Sequence, residues 1–374
     1  MKKTGTVLKS LAIIATWVCC ALLLLSNLSP FLKPAAYWPV AILGILFPFL
    51  FLLNLMALIF WLFVQKKRMI WPGIALLISI PYVLSVFALH PFARFDAKKN
   101  ANTLRVLSWN VGLMNYNAPD SLTAIEENLK IFDVIKKSDA DVVCLQEFFT
   151  AVVPGNHYNI MDSISRTMGY PYVLFSYDFP KIDSVFYSGS VIFSRHKIID
   201  TNKIQFEGNF KSSLIDAQIL FQNDTVHVQN TRMQIMLIQA EDYKALHDIK
   251  HLSDKNLSGT KGIIQKLKMG YAQNIDAVHK IKVSHDQNKA PVIFTGDMND
   301  VPGSYAYKTI KGNLKDVWLQ KGFGFGRTYN QLSPTLRLDY VFASKIFSVK
   351  QVKQIKSTAT DHYGLLVDLE FSKK

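Results

Sequence analysis

Four groups of polar residues lie at the ends of apolar runs in the C-terminal part of the chain. Carboxylates, amides and an imidazole are the side chains that bind hard cations and transfer protons, and apolar strands often deliver such groups to one edge of a sheet. One such group would mean little, but four together indicate a functional site. They are Asn110 after LRVLSW, Glu147 after DVVCLQ, Asp297 and Asn299 after PVIFTG, and Asp361 with His362 before YGLLVDLEF.

These residue types match what phosphoester cleavage requires. That reaction uses a divalent ion to neutralise developing charge, a positioned water, and groups that hold the phosphoryl oxygens. Magnesium keeps several of its own waters, so one or two protein carboxylates are enough to hold it. Glu147 is the first candidate for a metal ligand, although a Glu that closes an apolar strand is also compatible with a surface charge. The sequence therefore predicts Mg²⁺, with Mn²⁺ as the alternative.

The GDMND motif supplies an acid and an amide two positions apart. Gly296 permits a close backbone approach, and Asp297 can orient a water while Asn299 donates to a phosphate oxygen. The alternative is an ordinary turn, because Asp and Asn favour loops through local hydrogen bonds.

The fourth group contains His362, and an imidazole that transfers protons needs its far nitrogen fixed by an acceptor. Asp339, in the strand-like segment RLDYVFAS, is the predicted companion of this histidine. The alternative is that Asp339 pairs with Arg337 or Arg327.

Taken together, six motifs resemble those of the endonuclease/exonuclease/phosphatase superfamily, which has the deoxyribonuclease-I-like fold. The resemblance implies an α/β fold, a four-layer sandwich of two packed mixed β-sheets flanked by helices, with magnesium-dependent phosphoester hydrolysis. It places Asn110 and Glu147 near the metal, and Asp361 is predicted as a further metal ligand. The resemblance assigns Asp297 and Asn299 to water and phosphate, and Asp339 with His362 to the catalytic pair; whether Asp297 or His362 activates the water stays open. The motifs are VLSWNVG, DVVCLQE, GSVIFSR, FTGDMND, RLDYVF and TDHYGLL, in this order between residues 104 and 371.

One segment departs from the pattern of that superfamily. Many members that cleave phosphodiesters have an Asn-x-His motif where this chain has Asn230, Thr231 and Arg232. A guanidinium can grip a phosphate with two hydrogen bonds, but it is permanently protonated and cannot donate a proton. Arg232 therefore leaves open the leaving-group chemistry and the choice between mono- and diesters. The alternative is an ion pair of Arg232 with Glu241 or Asp242.

The elements that must position these residues follow from apolar periodicity. A turn is expected at 322–326, and 222–224 is expected to join two strands as a hairpin. Residues 104–374 form the predicted catalytic domain, after a polar linker at 96–103. The predicted strands are 104–109, 141–145, 172–176, 190–193, 214–221, 225–229, 291–295, 337–343 and 363–371, and the predicted helices are 122–137, 158–168, 261–285 and 305–310.

The first 95 residues contain no Asp or Glu and three long apolar stretches, at 11–28, 40–64 and 70–89. Each is close to the roughly 20 residues that cross a hydrocarbon core of about 30 Å. We therefore predict a membrane region with three transmembrane helices at 1–95; the alternative for the first stretch is a cleaved signal peptide. Three helices without an acid and with basic residues only at their ends offer no ion path, which argues against a channel or transporter.

Basic residues in short connections favour the cytoplasmic side of a membrane. Their distribution predicts a multi-pass protein of the inner or plasma membrane with a cytoplasmic N-terminus and an extracytoplasmic, periplasmic catalytic domain. The residues counted are Lys2, Lys3 and Lys9 before the first stretch, Lys33 alone in the first loop, Lys66, Lys67 and Arg68 in the second loop, and Arg94, Lys98 and Lys99, which weaken the bias, after the third stretch.

The formal charge is +14, of which eight positive charges belong to the first 95 residues; the remainder has 34 basic against 28 acidic residues, or +6. This mild excess suits a phosphoester on a lipid headgroup and falls short of the dense basic stripe typical of nucleic-acid binding. Three cysteines, with Cys19 and Cys20 in the first apolar stretch and Cys144 in a strand, exclude a disulfide framework and a zinc site.

The leading hypothesis is a membrane-anchored, metal-dependent phosphoesterase that acts on a lipid headgroup or a nucleic acid, with the bilayer as its other partner and no obligate protein partner. One alternative is a nuclease for extracellular nucleic acid. Another is a catalytically weakened sensor of a phosphorylated ligand, which Arg232 favours and the retained acids oppose.

Overall fold

The computed structural model describes residues 2–153, 159–181, 185–208, 211–234, 257–331 and 333–372. The helices are α1 (Lys2–Ser26), α2 (Trp38–Val64), α3 (Ile70–Ile78), α4 (Ile80–Val86), α5 (Ser121–Ser138), α6 (Ile160–Thr167), α7 (Leu257–Gln287), α8 (Tyr305–Lys311) and α9 (Val317–Lys321). The strands are β1 (Ala88–Leu89), β2 (Leu104–Asn110), β3 (Val142–Ala151), β4 (Tyr172–Phe175), β5 (Phe179–Lys181), β6 (Phe186–Ser194), β7 (Ile198–Gln205), β8 (Ser213–Phe221), β9 (Asp224–Arg232), β10 (Val292–Asp297), β11 (Lys315–Asp316), β12 (Phe323–Gly324), β13 (Asp339–Ala343), β14 (Phe347–Ile355) and β15 (Gly364–Phe371).

The first large sheet has the strand order β14-β15-β2-β3-β6-β4, with β5 paired to β6. Strands β2 and β3 are parallel and are joined by α5, so the predicted strands at 104–109 and 141–145 and the helix between them form a βαβ unit. The other pairs in this sheet are antiparallel. Every residue of β2 is buried, because this strand lies in the middle of the sheet with other layers on both faces.

The second large sheet has the order β11-β13-β10-β9-β8-β7. Strands β9 and β10 are parallel, and the other pairs are antiparallel. The predicted hairpin joins β8 to β9, with Gln222 and Asn223 at φ values of 50° and 68°. Two successive positive φ angles are typical of the tight turn that matches the twist of the flanking strands.

The two sheets pack face to face, and helices cover their outer faces. The core between the sheets combines side chains of both, such as Val106 and Cys144 with Val228 and Ile293. Helices α5 and α6 pack on the outer face of the first sheet, and α7 and α8 pack on that of the second. This arrangement confirms the predicted four-layer α/β sandwich.

Two edge strands, β7 and β14, were not predicted. Each lies at the end of its sheet, so one side of each faces solvent and the apolar alternation is weak: Ile198–Gln205 is mostly exposed or half-buried. The segment 322–326 is also more than the predicted turn, because β12 pairs with β1 and so joins the N-terminal region to the sandwich.

The N-terminal region contains two helices that are long and apolar enough to cross a membrane, Thr6–Ser26 and Trp38–Val64. The third predicted span is broken: Lys66–Ile78 and Ile80–Val86 meet at an angle of 48°. Pro81 explains the break, because a proline inside a continuous helix removes a hydrogen bond and its ring clashes with the preceding turn. The region therefore offers two candidate spans, or three if the bent pair crosses as one.

The predicted linker is packed onto the sandwich. The Arg105 guanidinium forms two hydrogen bonds with the Asp368 carboxylate, at 2.7 and 2.8 Å, and donates to the carbonyl oxygens of Asp96 and Ala97. These contacts hold residues 96 and 97 against the start of β2 in the first sheet.

Candidate active site

The sheet topology brings the polar motifs to one edge of the sandwich, called here the site edge, where β2, β9 and β10 end and β3 has its bulge. The last residue of β10, Asp297, lies opposite Arg232 of β9 on one side and Asp339 of β13 on the other. In the first sheet, Asn110 lies opposite Gln146, next to Glu147. His362 lies just before β15, which is antiparallel to β2 and so begins at this edge.

Glu147 lies in a bulge of β3. The pairing with β6 is interrupted between Leu145 and Phe148, and Glu147 has a φ of 49°, which non-glycine residues rarely adopt. Bulges and such backbone angles are frequent at functional sites, where they re-aim a side chain. Here the Glu147 carboxylate oxygen Oε1 accepts a hydrogen bond from Asn110 Nδ2 at 2.9 Å and lies 2.8 Å from Arg232 Nε.

The electrostatic balance keeps Glu147 ionised. Burial by itself would raise the pKa of this carboxyl, but the Arg232 charge and the Asn110 hydrogen bond outweigh it and hold the pKa below its usual value. Arg232 is thus paired with Glu147 at the site; the predicted alternative partners, Glu241 and Asp242, lie outside the described residues.

Asp297 and Asn299 form the tight turn that the GDMND motif predicts. The Asn299 backbone N–H donates to Asp297 Oδ1 at 2.9 Å, and its side-chain Nδ2 donates to Asp297 Oδ2 and to the Met233 carbonyl. Asn299 has a φ of 49°. The predicted donation of its amide to a phosphate oxygen would therefore require one of these bonds to be exchanged.

Gly296 allows the close approach expected of it. A Cβ at this position would lie 2.6 Å from the Thr231 carbonyl oxygen, so β9 and β10 could not pack as they do with any other residue there.

The Asp297 carboxyl is buried and receives a third hydrogen bond, from Asn110 Nδ2 to Oδ2 at 2.9 Å. Its pKa is raised to about 7, because burial and the neighbouring Asp339 carboxylate oppose ionisation more than His362 and Arg232 favour it. The Asn110 amide thus links two acids, Glu147 of the first sheet and Asp297 of the second.

His362 and Asp339 form a buried pair, with 2.8 Å between His362 Nδ1 and Asp339 Oδ2. Arg337 pairs with Asp316 instead, at 2.9 Å, and Arg327 donates to a backbone carbonyl, so neither of the alternative partners holds Asp339. Burial would lower the pKa of His362, but the Asp339 carboxylate overcomes this and raises it to about 10.

Three side chains at the site have the geometry of a cation site. The ligand atoms of Asp297, Asp339 and His362 all lie within 4.8 Å of one another. Asp339 Oδ1 is buried without a hydrogen-bond partner, and such an atom is costly unless something binds it. With Glu147 alongside, the set of buried carboxylate oxygens fits a hard divalent ion.

The predicted metal residues occupy different surroundings. Asn110 and Glu147 lie beside this group, linked to it through the Asn110 amide. Asp361 is exposed, while its neighbour His362 is buried.

Two buried amides beneath the site connect the two sheets, a role that sequence reasoning did not predict. Gln146 Nε2 donates to Asn230 Oδ1 at 2.7 Å, and Asn230 Nδ2 donates to the carbonyls of Leu145 and Val191 at 2.9 Å. The sequence signal for this role was an amide in each of two otherwise apolar strands. Gln146 immediately precedes Glu147, and Asn230 lies two residues before Arg232. These bonds fix the separation of Glu147 from Arg232 and Asp297.

Two packed mixed sheets covered by helices, with an acid-rich site edge, make this chain a four-layer α/β sandwich. A family model described as the endonuclease/exonuclease/phosphatase family matches residues 107–257 and 267–362, and the chain belongs to this family. A second model, for a domain of unknown function, matches residues 9–86. The comparison with curated protein sequences gave no match.

Solved structures of the family share the fold. An endonuclease/exonuclease/phosphatase from Beutenbergia cavernae is 22% identical with a TM-score of 0.50, and 72% of each chain is covered. The human Nocturnin catalytic domain with bound sulfate is 16% identical with a TM-score of 0.51, covering 76% of this chain and 99% of that one. A family protein from Leptotrichia buccalis is 17% identical with a TM-score of 0.50, covering 72% and 100%.

Proposed function

We propose that this protein is a membrane-anchored, Mg²⁺-dependent phosphoric ester hydrolase whose active site lies on the extracytoplasmic side of the membrane. The observation that supports it best is the convergence of Asp297, Asp339 and His362 within 4.8 Å, beside the linked Asn110 and Glu147. Mn²⁺ is the alternative metal.

In this proposal, the cation is held by the acids of the site, with Glu147 and Asn110 as predicted ligands and Asp297 and Asp339 available beside them. When bound, it neutralises charge on the phosphoryl group. Asp361 remains a proposed outer contributor, because its exposed position at the mouth suits contact through water.

The protonation states favour a division of roles between Asp297 and His362. A histidine whose pKa is raised to about 10 is protonated at neutral pH, so His362 is suited to donate to a phosphoryl or leaving-group oxygen. A carboxyl with a pKa near 7 is suited to accept the proton of an attacking water, which favours Asp297 as the base. Asn299 supports the second role by holding the Asp297 carboxylate.

Arg232 is proposed to contact the phosphate oxygens. Its guanidinium is half-buried against Glu147, and a guanidinium can bind a phosphate through two hydrogen bonds without exchanging protons. The same ion pair is what favours the alternative of a weakened sensor, because it neutralises an acid that the metal would otherwise use.

The proposed organisation assigns residues 1–95 to the membrane, 96–103 to a linker and 104–374 to the catalytic domain. The two or three candidate spans and the distribution of basic residues support a cytoplasmic N-terminus and a periplasmic active site. The substrate is proposed to be the phosphoester of a lipid headgroup or of nucleic acid, and protease accessibility on intact cells tests the sidedness.

The test uses the full chain in detergent with generic phosphomonoester and phosphodiester substrates, in the presence of Mg²⁺, Mn²⁺ or a chelator. Turnover should require the metal and disappear in Glu147→Gln and Asp297→Asn. Asp224, the exposed first residue of β9, is changed to Asn as the matched control and should leave turnover unchanged. A ligand-dependent response that survives both site substitutions would instead favour the sensor.

A further inference from the structure

The loops of the site edge contact the N-terminal helices. Ile45 of α2 packs against Val301, Leu336 and Leu338. Val301 belongs to the loop that follows the catalytic turn of β10, and Leu338 immediately precedes Asp339. An apolar side chain of a candidate span therefore touches the two loops that carry the proposed acids.

A second contact lies beside the first. The ring of Tyr82 in α4 occupies the space next to Gly303, where a Cβ would lie 2.4 Å from the ring atom Cζ. Tyr329, which belongs to the same cluster as Ile45, also faces the His362 ring, with 5.1 Å between the centroids. The site edge is thus the side of the sandwich on which the apolar helices lie.

An apolar stripe is exposed at this same edge. Leu122, Ile125 and Leu129 of α5 recur at helical spacing and are 74%, 46% and 57% exposed, while the opposite face of α5 is packed on the first sheet. Helix α5 follows the end of β2, so its first turns begin at the site edge. Val152 and Val153, just beyond the end of β3, are also exposed.

The bilayer surface is the occupant that fits this stripe. A contiguous exposed apolar surface on a folded domain marks an interaction site. The candidate spans indicate where the hydrocarbon lies, and they contact the edge that carries the stripe. A helix of this kind can lie in the interface with its apolar face among the headgroups and upper acyl chains.

We propose that the site edge rests on the membrane surface through the α5 stripe, and that the substrate class is a phosphoester carried by a membrane lipid. The proposal rests on the proposed hydrolase function. A site whose mouth faces the headgroup layer can receive a lipid phosphate without extracting the lipid. Water would add to the phosphorus, the ester P–O bond would break, and the leaving oxygen would take up a proton.

The experiment compares the wild-type full chain with the triple variant Leu122→Gln, Ile125→Gln and Leu129→Gln. Gln keeps helix propensity while removing the apolar surface. Both proteins are reconstituted in vesicles of phosphatidylethanolamine and phosphatidylglycerol with Mg²⁺ or Mn²⁺. Release of lipid products is measured beside hydrolysis of bis(p-nitrophenyl) phosphate and of a single-stranded oligonucleotide.

The matched control is Leu220→Gln. Leu220 is 41% exposed near the β8–β9 hairpin, at the opposite edge of the sandwich. We expect the triple variant to hydrolyse lipid about tenfold more slowly or worse, because it loses the apolar surface that seats the edge on the bilayer. Hydrolysis of bis(p-nitrophenyl) phosphate should be unchanged, and the control should match wild type on all substrates.

Three outcomes would overturn the inference while leaving the hydrolase intact: equal lipid turnover in the triple variant and wild type, hydrolysis confined to the oligonucleotide or the soluble diester, or a change of oligomeric state in the triple variant that shows the stripe to be covered by a second copy. If none of the substrates is hydrolysed with either metal, the proposed hydrolase function fails, and the lipid inference fails with it.

Discussion

The sandwich contains two buried His–Asp pairs that have nearly the same local geometry. His362 Nδ1 lies 2.8 Å from Asp339 Oδ2, and His227 Nδ1 lies 2.9 Å from Asp216 Oδ1. Both carboxylates are buried. The hydrogen bond alone therefore does not distinguish a candidate catalytic pair from a structural one.

The surroundings of the two carboxylates do distinguish them. Asp216 Oδ2 accepts hydrogen bonds from Gln229 at 2.8 Å and Asn288 at 3.4 Å, so both of its oxygens are satisfied by neutral or paired groups. Asp339 Oδ1 has no such partner and lies near another buried acid, Asp297. A site is marked by charge that the fold leaves uncompensated, because only such charge gains from binding a cation or a substrate.

The largest expected effect comes from exchanging the histidines. His362→Gln should lower kcat by about a hundredfold or more, as expected when a group that transfers a proton is lost. His227→Gln should change kcat by no more than about twofold, because its partner Asp216 is structural. Steady-state kinetics on a soluble phosphodiester measures both, and equal losses in the two variants would remove the distinction between the pairs.

The next effect concerns the cation. Mg²⁺ at about a hundred times its dissociation constant should stabilise the wild type by about 2.7 kcal/mol. Asp339→Asn and Asp297→Asn should abolish this gain, whereas Asp216→Asn should retain it even if its own stability is lower. Unfolding by heat or denaturant with and without Mg²⁺ measures the difference; metal stabilisation that persists in both site variants would contradict the proposed cation site.

A third histidine, His285, has a neutral carbonyl oxygen as its hydrogen-bond partner instead of a carboxylate. His285 Nδ1 lies 3.0 Å from the Ile310 carbonyl oxygen, Nε2 has no partner, and burial lowers the pKa to about 4. Because the folded-state pKa is depressed, the stability is complete above pH 6.5 and falls as the pH drops toward 4. We expect a loss of about 2 kcal/mol between pH 6.5 and 5.

Urea unfolding midpoints across this pH range provide the measurement for His285. His285→Gln should flatten the decline below pH 6.5, and His279→Gln, at an exposed position on the same helix, should not. An unchanged pH profile in His285→Gln would assign the acid lability to other groups.

The smallest expected effect distinguishes an arginine that is proposed to bind substrate from an arginine that only stabilises the fold. Arg232→Lys should lower kcat/KM by about tenfold, because an ammonium cannot reproduce two-point contact with a phosphate. Arg105, which is paired with Asp368 at the opposite edge, should affect stability instead of turnover when it is changed to Lys. The comparison fails if Arg105→Lys lowers kcat/KM as much as Arg232→Lys does.

The sequence was most informative where chemistry and periodicity coincide. Strands β2, β9 and β10 were predicted within a few residues, because their apolar runs are buried on both faces. The predicted strand 141–145 was too short, because β3 continues past the bulge at Glu147 to Ala151. The edge strands β7 and β14 and the break before Pro81 were missed, since solvent-facing edges have weak patterns and a proline is often accommodated in apolar helices.

Side-chain direction was harder to infer than element position. Asp361 adjoins His362 in sequence, but Asp361 lies in the bend that precedes β15 and is exposed, whereas His362 pairs with Tyr329 and is buried. The bonds of Asn230 to Gln146, Leu145 and Val191 could not be foreseen either, because they depend on how two sheets stack.

The irregularity at Glu147 limits how the chain can change its length. Leu145 pairs with Val191, but Phe148 pairs with Gly189, so an added residue absorbs the mismatch between the two halves of β3. Removing a single residue there would leave Phe148 opposite Gly189 in a regular strand, but it would remove the bulge that aims the Glu147 side chain into the site. Insertions and deletions should therefore be excluded from this short stretch even in relatives whose surface loops vary freely in size.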